Sequence, residues 1–181
     1  TINIHPSLLP LYRGPSPIIS VILNGDKGTG VTIIKIDEEM DHGPILAQTK
    51  LTLSGRESLK DLEKSLAKLG GELLVKVIGE FISGKIKPKE QDHTKATFCK
   101  KIKKEDGLLD LNDDPLKNYN KFRAYLSWPR IFFFHPPTDG GKRIIVTDAD
   151  LIDNAFVIKK VLPEGRKEIK YEEFLRSNIS K

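Results

Sequence analysis

The sequence predicts an α/β layer over residues 1–84. Past a polar linker at 85–97, it predicts a small barrel or sandwich of antiparallel strands over 98–181. Three observations carry that expectation. In the first half, β-branched runs alternate with segments whose apolar residues recur every three or four positions. In the second half, apolar runs are short and separated by turn residues. Between them, "SGKIKPKEQDHTKAT" lacks any period, contains both Gly and Pro, and reads as a spacer.

Taken in order, "TINIH" is a short strand that must stop at Pro6, which has no N–H for a ladder. "SPIISVILNGD" spaces Ile18, Ile19, Ile22 and Leu23 for a helix and ends on the turn signal Asn24-Gly25-Asp26. "GVTIIKID" and "PILAQTKLTL" are two further strands, joined by the polar turn Glu38 to Gly43. From Ser58 to Ile82, Leu59, Leu62, Leu66, Leu69, Leu73, Val77 and Phe81 mark one face of a long helix, and Ser58 with Asp61 resembles a capping box. Beyond the linker, Asp114-Pro115 is an N-cap with proline at the first helical position, opening a helix to about Leu126. Short strands follow at Ile131–Phe134, Arg143–Val146, Ala155–Ile158 and Glu168–Tyr171.

Charge divides as sharply as texture does. Residues 1–84 carry 9 Lys+Arg against 10 Asp+Glu, whereas residues 85–181 carry 21 against 15, so the basic excess lies in the second half. Such an excess attracts a phosphate backbone through counterion release, and equally describes a solvated lysine-rich surface. No apolar run approaches the roughly 20 residues that span a bilayer. The single cysteine, Cys99, excludes an internal disulfide and fits a reducing compartment.

Two segments can carry chemistry. Asn3 and His5 alternate on a strand and so share one face. An amide and an imidazole side by side can donate to one oxygen that gains charge during acyl transfer. By itself, N-x-H more often marks a satisfied histidine at a strand end. In "DEEMDHGPI" four acids fall in five positions, an arrangement that requires solvent, a metal or a positive partner. Calcium-loop spacing is absent. Either the turn is solvated, or Asp41 turns inward, pairs with His5, raises its pKa and holds the ring.

"NIHPSLLPLYRG" followed by "GDKGTGVTIIKIDEEMDHGPILAQ" resembles the folate-dependent formyltransferase family. The resemblance implies an incomplete Rossmann-like formyltransferase sheet, with the front part of that domain lying upstream of Thr1. It places the catalytic asparagine, histidine and aspartate on Asn3, His5 and Asp41, with Asp41 keeping His5 charged. Ser7, Leu8, Leu9 and Pro10 fall where the family contacts its folate co-substrate, 10-formyltetrahydrofolate. No metal is implied. With its upstream part missing, the isolated chain is expected to be inactive.

"ATFCKKIKKEDGLLDL", "NKFRAYLSWPRIFFF" and "VLPEGRKEIKYEEFLRSN" resemble the C-terminal domain of the family branch that formylates methionyl-initiator-tRNA. In that branch the domain is an OB-like β-barrel that helps hold tRNA. The implied phosphate contacts are Arg13, Lys100, Lys101, Lys103, Lys104, Arg143, Lys159, Lys160, Arg166 and Lys167, each with a solvated surface charge as its alternative. Trp128, Phe132 and Phe134 can stack bases, although core packing is the commoner role for such residues. The family implies a cytoplasmic monomer, bacterial or of an organellar matrix, with no membrane partner. Two readings stay beside it: a sugar-nucleotide N-formyltransferase, and a non-catalytic RNA-binding remnant.

Overall fold

A computed structural model describes residues 1–137 and 140–179. The chain divides into two compact units, Thr1–Lys101 and Ile102–Lys181. Segment 85–97, expected as a linker, lies within the first of them.

The first unit is a three-stranded sheet with two helices. Strands β1 (Ile2–His5), β2 (Gly28–Lys35) and β3 (Ile45–Thr52) lie in the order β1-β2-β3, antiparallel at both pairings. The expected α/β layer of sheet and helices is present, with both strand pairings antiparallel. Residues 36–44 between β2 and β3 are too few for a crossover, which takes a dozen or more, so the pair closes as a hairpin. Helix α1 (Pro17–Asn24) begins on a proline and ends at Gly25, whose left-handed backbone (φ 67°) returns its N–H to the Ile22 carbonyl at 3.0 Å. Helix α2 (Leu59–Ile82) opens with the reciprocal capping box of Ser58 and Asp61.

Pleating sorts the sheet residues. Ile33, with Leu46 and Val77, forms a core cluster, and Ile2, Leu73, Leu74 and Phe81 pack against it. Gly70 of α2 faces the sheet with no side chain between, since a Cβ there would strike Ile4 and crowd Val31. The opposite face carries Asn3 across from Ile34, and His5 across from Thr32. Helix α2 therefore covers one face and leaves the polar residues of β1 on the other.

The second unit holds helix α3 (Pro115–Ala124), a four-stranded antiparallel sheet and helix α4 (Tyr171–Ile179). Its strands are β4 (Phe132–His135), β5 (Lys142–Ile152), β6 (Ala155–Pro163) and β7 (Ile169–Lys170), in that spatial order. Strands β5 and β6 run well past their predicted ends. Asp153 and Asn154, both at positive φ, form a two-residue hairpin turn that lets Ile152 pair with Ala155. The expected barrel does not close among the described residues: β7 is two residues long, and the chain passes directly into α4. Helix α4 was not expected, and only its first residue, Tyr171, fell within the strand expected at Glu168–Tyr171. Its Tyr171, Phe174 and Leu175 have the i, i+3, i+4 spacing of a helix, and Phe174 is buried against Phe133 and Tyr171.

Candidate active site

Three segments of the first unit converge at the end of β1. They are the loop 6–14 that follows the strand, the turn 36–44 between β2 and β3, and the segment 89–99. Pro6 ends β1 as its missing N–H requires, and the loop then folds back over the sheet. Thr32, placed across from His5, fastens it there. Its hydroxyl donates to the Ser7 carbonyl at 2.7 Å and accepts from the Leu9 N–H at 3.0 Å. The Gln48 amide on β3 donates to both the Leu9 carbonyl (2.7 Å) and the Thr32 hydroxyl (2.9 Å).

His5 is 3% exposed. Its Nδ1 lies 3.4 Å from Asp41 Oδ1, and its Nε2 lies 3.0 Å from the Tyr12 carbonyl. A carbonyl only accepts, so Nε2 carries a proton, and in the neutral ring Nδ1 is bare and faces the carboxylate. Burial pushes the imidazole below its ordinary value, with the Asp41 carboxylate and the Tyr12 carbonyl pulling the other way. Asp41 was expected to keep His5 charged. Instead, desolvation outweighs the carboxylate and the neutral ring is favoured at pH 7. The ring's N–H is also engaged by Tyr12, so in this geometry it is not pointed at a ligand.

Asp41 sits at φ 53°, a left-handed conformation that aspartate tolerates better than most residues. Its Oδ2 accepts the Gly14 N–H at 2.8 Å. Gly14 is required there: its φ is +113°, and a Cβ would run into the Cys99 carbonyl. Gly43 lies in the same turn, against the Lys35 carbonyl, where a Cβ has no room. Asn3 is half-buried on the face that carries His5, about 7 Å along the strand. Among the described residues its amide has no hydrogen-bond partner.

The residues expected to touch folate divide. Ser7 is fully buried and donates its hydroxyl to the Leu11 carbonyl at 2.6 Å, and Leu9 is 3% exposed. Both are corrections: these side chains shape the loop from inside and are not offered to a ligand. Leu8 and Pro10 are half-buried and keep some outer surface.

Arg13 is the clearest correction among the basic residues. It is 3% exposed, with Nε and Nη2 on the Gln91 Oε1 at 3.2 and 2.7 Å and Nη2 on His93 Nδ1 at 2.8 Å, so it has no face for a phosphate. Lys100, Lys101, Lys103, Lys104, Arg166 and Lys167 are exposed. Lys159 pairs with Asp150 at 3.3 Å and Lys160 with Glu168 at 3.4 Å. The Arg143 guanidinium lies 4.1 Å over the Phe132 ring. Phe132 is buried, whereas Trp128 and Phe134 are 53% and 43% exposed.

Sequence reading missed Thr32, Gln48 and Gln91. Thr32 had a signal, a hydroxyl in the otherwise apolar run "VTII", whereas Gln91 sat in a stretch read as spacer. Among the described residues there is no group of three His, Cys, Asp or Glu placed to hold a metal ion, and no helix long and apolar enough to cross a membrane.

Residues 1–78 match the formyl transferase family model, and the site lies within that match and the segment that follows it. Residues 1–78 are thus a formyl transferase domain. More particularly, the chain is 46% identical to the methionyl-tRNA formyltransferase of Roseiflexus castenholzii over 128 residues, which cover 71% of this chain and 41% of that protein. The chain thus spans about two fifths of the length of that relative. In fold it is similar to the methionyl-tRNA formyltransferase of Clostridium thermocellum (TM-score 0.66, 24% identity, 90% of this chain and 67% of that one). It is also similar to an N-formyltransferase of Helicobacter canadensis solved with folinic acid and dTDP-3-aminofucose (TM-score 0.67, 21% identity, 87% of this chain and 61% of that one).

Proposed function

We propose that this chain forms part of an enzyme that moves a formyl group from 10-formyltetrahydrofolate to the amino group of methionyl-initiator-tRNA. The observation that carries the reading is the buried His5–Asp41 pair, 3.4 Å apart, on a sheet face that also presents the Asn3 amide. The identity to a methionyl-tRNA formyltransferase supports the choice of acceptor.

The chemistry follows from the groups. As the amine nitrogen attacks the formyl carbon, negative charge grows on the formyl oxygen, and Asn3 donates to it. The new C–N bond forms, the bond from the formyl carbon to N10 of the folate breaks, and the amine's proton must reach N10. His5, neutral at pH 7, relays that proton through water on its bare Nδ1 beside Asp41, while Nε2 stays on the Tyr12 carbonyl. In the imidazolium form both ring N–H groups have acceptors waiting, the Tyr12 carbonyl and Asp41. Leu8 and Pro10 supply the outer loop surface for the folate ring.

In the protein that carries this chain, His5→Ala is expected to lower formylation of methionyl-tRNA by about 100- to 1,000-fold with circular dichroism unchanged. Near-normal turnover refutes the assignment. Acceptor choice is tested separately by binding tRNA at rising salt. The exposed lysines at 100, 101, 103 and 104 predict a steep loss of affinity, and charge-reversing them flattens the slope. The second reading, a sugar-nucleotide acceptor, draws on the fold likeness to the Helicobacter enzyme and requires no tRNA binding at all.

A further inference from the structure

Most of segment 89–99 falls in the stretch 85–97 that was expected to be a spacer, yet it fastens both loops of the site. Lys89 exchanges backbone hydrogen bonds with Ile45 at 2.7 and 2.8 Å. Thr97 donates its N–H to the Pro10 carbonyl (3.2 Å), takes the Tyr12 N–H on its hydroxyl (2.8 Å) and the Arg13 N–H on its carbonyl (2.8 Å). Between these two anchors stands Gln91, 5% exposed.

The Gln91 side chain makes four hydrogen bonds. Nε2 donates to the Asp41 carbonyl at 2.9 Å and the Gly43 carbonyl at 2.8 Å, while Oε1 accepts twice from Arg13. Carbonyls only accept and a guanidinium only donates, so the partners dictate which way the amide faces. Both bonded carbonyls belong to the turn that sets Asp41 at φ 53°. On its other side Gln91 holds Arg13, and the neighbouring Tyr12 and Gly14 are the residues that grip His5 Nε2 and Asp41 Oδ2. One buried amide therefore connects the backbone carrying the carboxylate to the loop carrying the imidazole's partner.

We propose that Gln91 is a positioning residue for the His5–Asp41 pair, clamping the 41–43 turn against the 12–14 loop so that carboxylate and ring meet. It touches neither reacting group. The inference rests on the formyl-transfer reading only for its effect on turnover, since the clamp itself is read on His5.

The test is a titration of the His5 ring by nuclear magnetic resonance, in the chain and in Gln91→Leu. Release of the turn lets the carboxylate move away, and the His5 midpoint falls by about one pH unit, because Asp41 is the charged group that raises it. Asp92→Ala is the control. It removes the side chain that caps the 93–95 turn on the same segment, through Thr94 and Lys95, without contacting residues 41–43, and the His5 midpoint stays where it was. Where Gln91→Leu does not fold, Gln91→Glu replaces it, keeping the acceptor for Arg13 and losing the donors to the two carbonyls.

A folded Gln91 variant with an unmoved His5 midpoint overturns the proposal. So does an equal shift in Asp92→Ala, and so does unfolding of both Gln91 variants, which would make the residue a matter of stability alone. In the protein carrying this chain, the same variant is expected to lower kcat about tenfold at unchanged KM for methionyl-tRNA. A moved midpoint with unaltered turnover leaves the clamp standing and refutes the role given to His5.

Discussion

Replacing Asp41 by asparagine keeps the shape of the turn and removes one charge. The amide oxygen can still accept the Gly14 N–H, and the NH2 group then faces His5 Nδ1 where a carboxylate oxygen stood at 3.4 Å. At that separation, with an effective dielectric constant of about 20, the lost attraction for an imidazolium is about 5 kcal/mol before relaxation. Charge partners at this range move pKa values by about one to three units once water and side chains readjust. Burial already depresses His5, so removing Asp41 adds to that depression. The expected outcome is a His5 midpoint that falls further and, if the ring relays a proton, turnover reduced by about 100-fold.

Stability should follow with a definite sign. His5 in the folded chain lies below its ordinary 6.5, so the unfolded chain takes up a proton more readily. The stabilisation is complete above about pH 6.5 and is lost as pH falls from there through the folded value. In Asp41→Asn that loss continues to lower pH. Ring titration and thermal unfolding at pH 7.5 and pH 5 measure both effects. A His5 midpoint that does not fall in the folded variant refutes the electrostatic account of the pair.

Gly43→Ala forces a methyl against the Lys35 carbonyl and is expected to destabilise the first unit by about 2 kcal/mol; an unchanged urea midpoint would contradict the close packing of the turn. Glu57 resists ionisation through burial, but hydrogen bonds from the Ser54 N–H and hydroxyl and the Gly55 N–H overcome this and hold it at about 2. Its contribution is therefore whole above about pH 4.5 and fades as pH falls toward 2, and Glu57→Gln is expected to remove about 1–2 kcal/mol at neutral pH. Thermal melts at pH 7 and pH 3 give the comparison, with a difference that narrows in acid. Asp114→Ala deletes the cap that accepts the Lys117 N–H at 2.9 Å and should cost about 1 kcal/mol, read from the second unit's unfolding in urea.

Several elements were legible because their signals are local. Pro6 ends β1, Gly25 ends α1, and Ser58 with Asp61 opens α2, each through backbone chemistry confined to a few residues. Periodicity likewise assigned Leu59, Leu62 and Leu66 to the buried face of α2, since a helix presents every third or fourth residue to the same neighbour. The second unit was harder. Its strand limits depended on the Asp153-Asn154 turn, and α4 on whether Phe174 found aromatic partners. Those are distant contacts with no local mark.

The family resemblance and the side chains at stake, Asn3, His5 and Asp41, stand in the sequence, because residue types and their spacing along a strand are properties of the chain itself. What folding alone decided is how those groups are held and in what state. Thr32 and Gln91 reach the loops only after residues dozens of positions apart are brought together. Arg13, which looks basic and available on paper, is enclosed by the same packing. The protonation of His5 was undecidable from composition for a physical reason. It is a balance between desolvation, which grows with everything packed around the ring, and one carboxylate, whose pull depends on a distance.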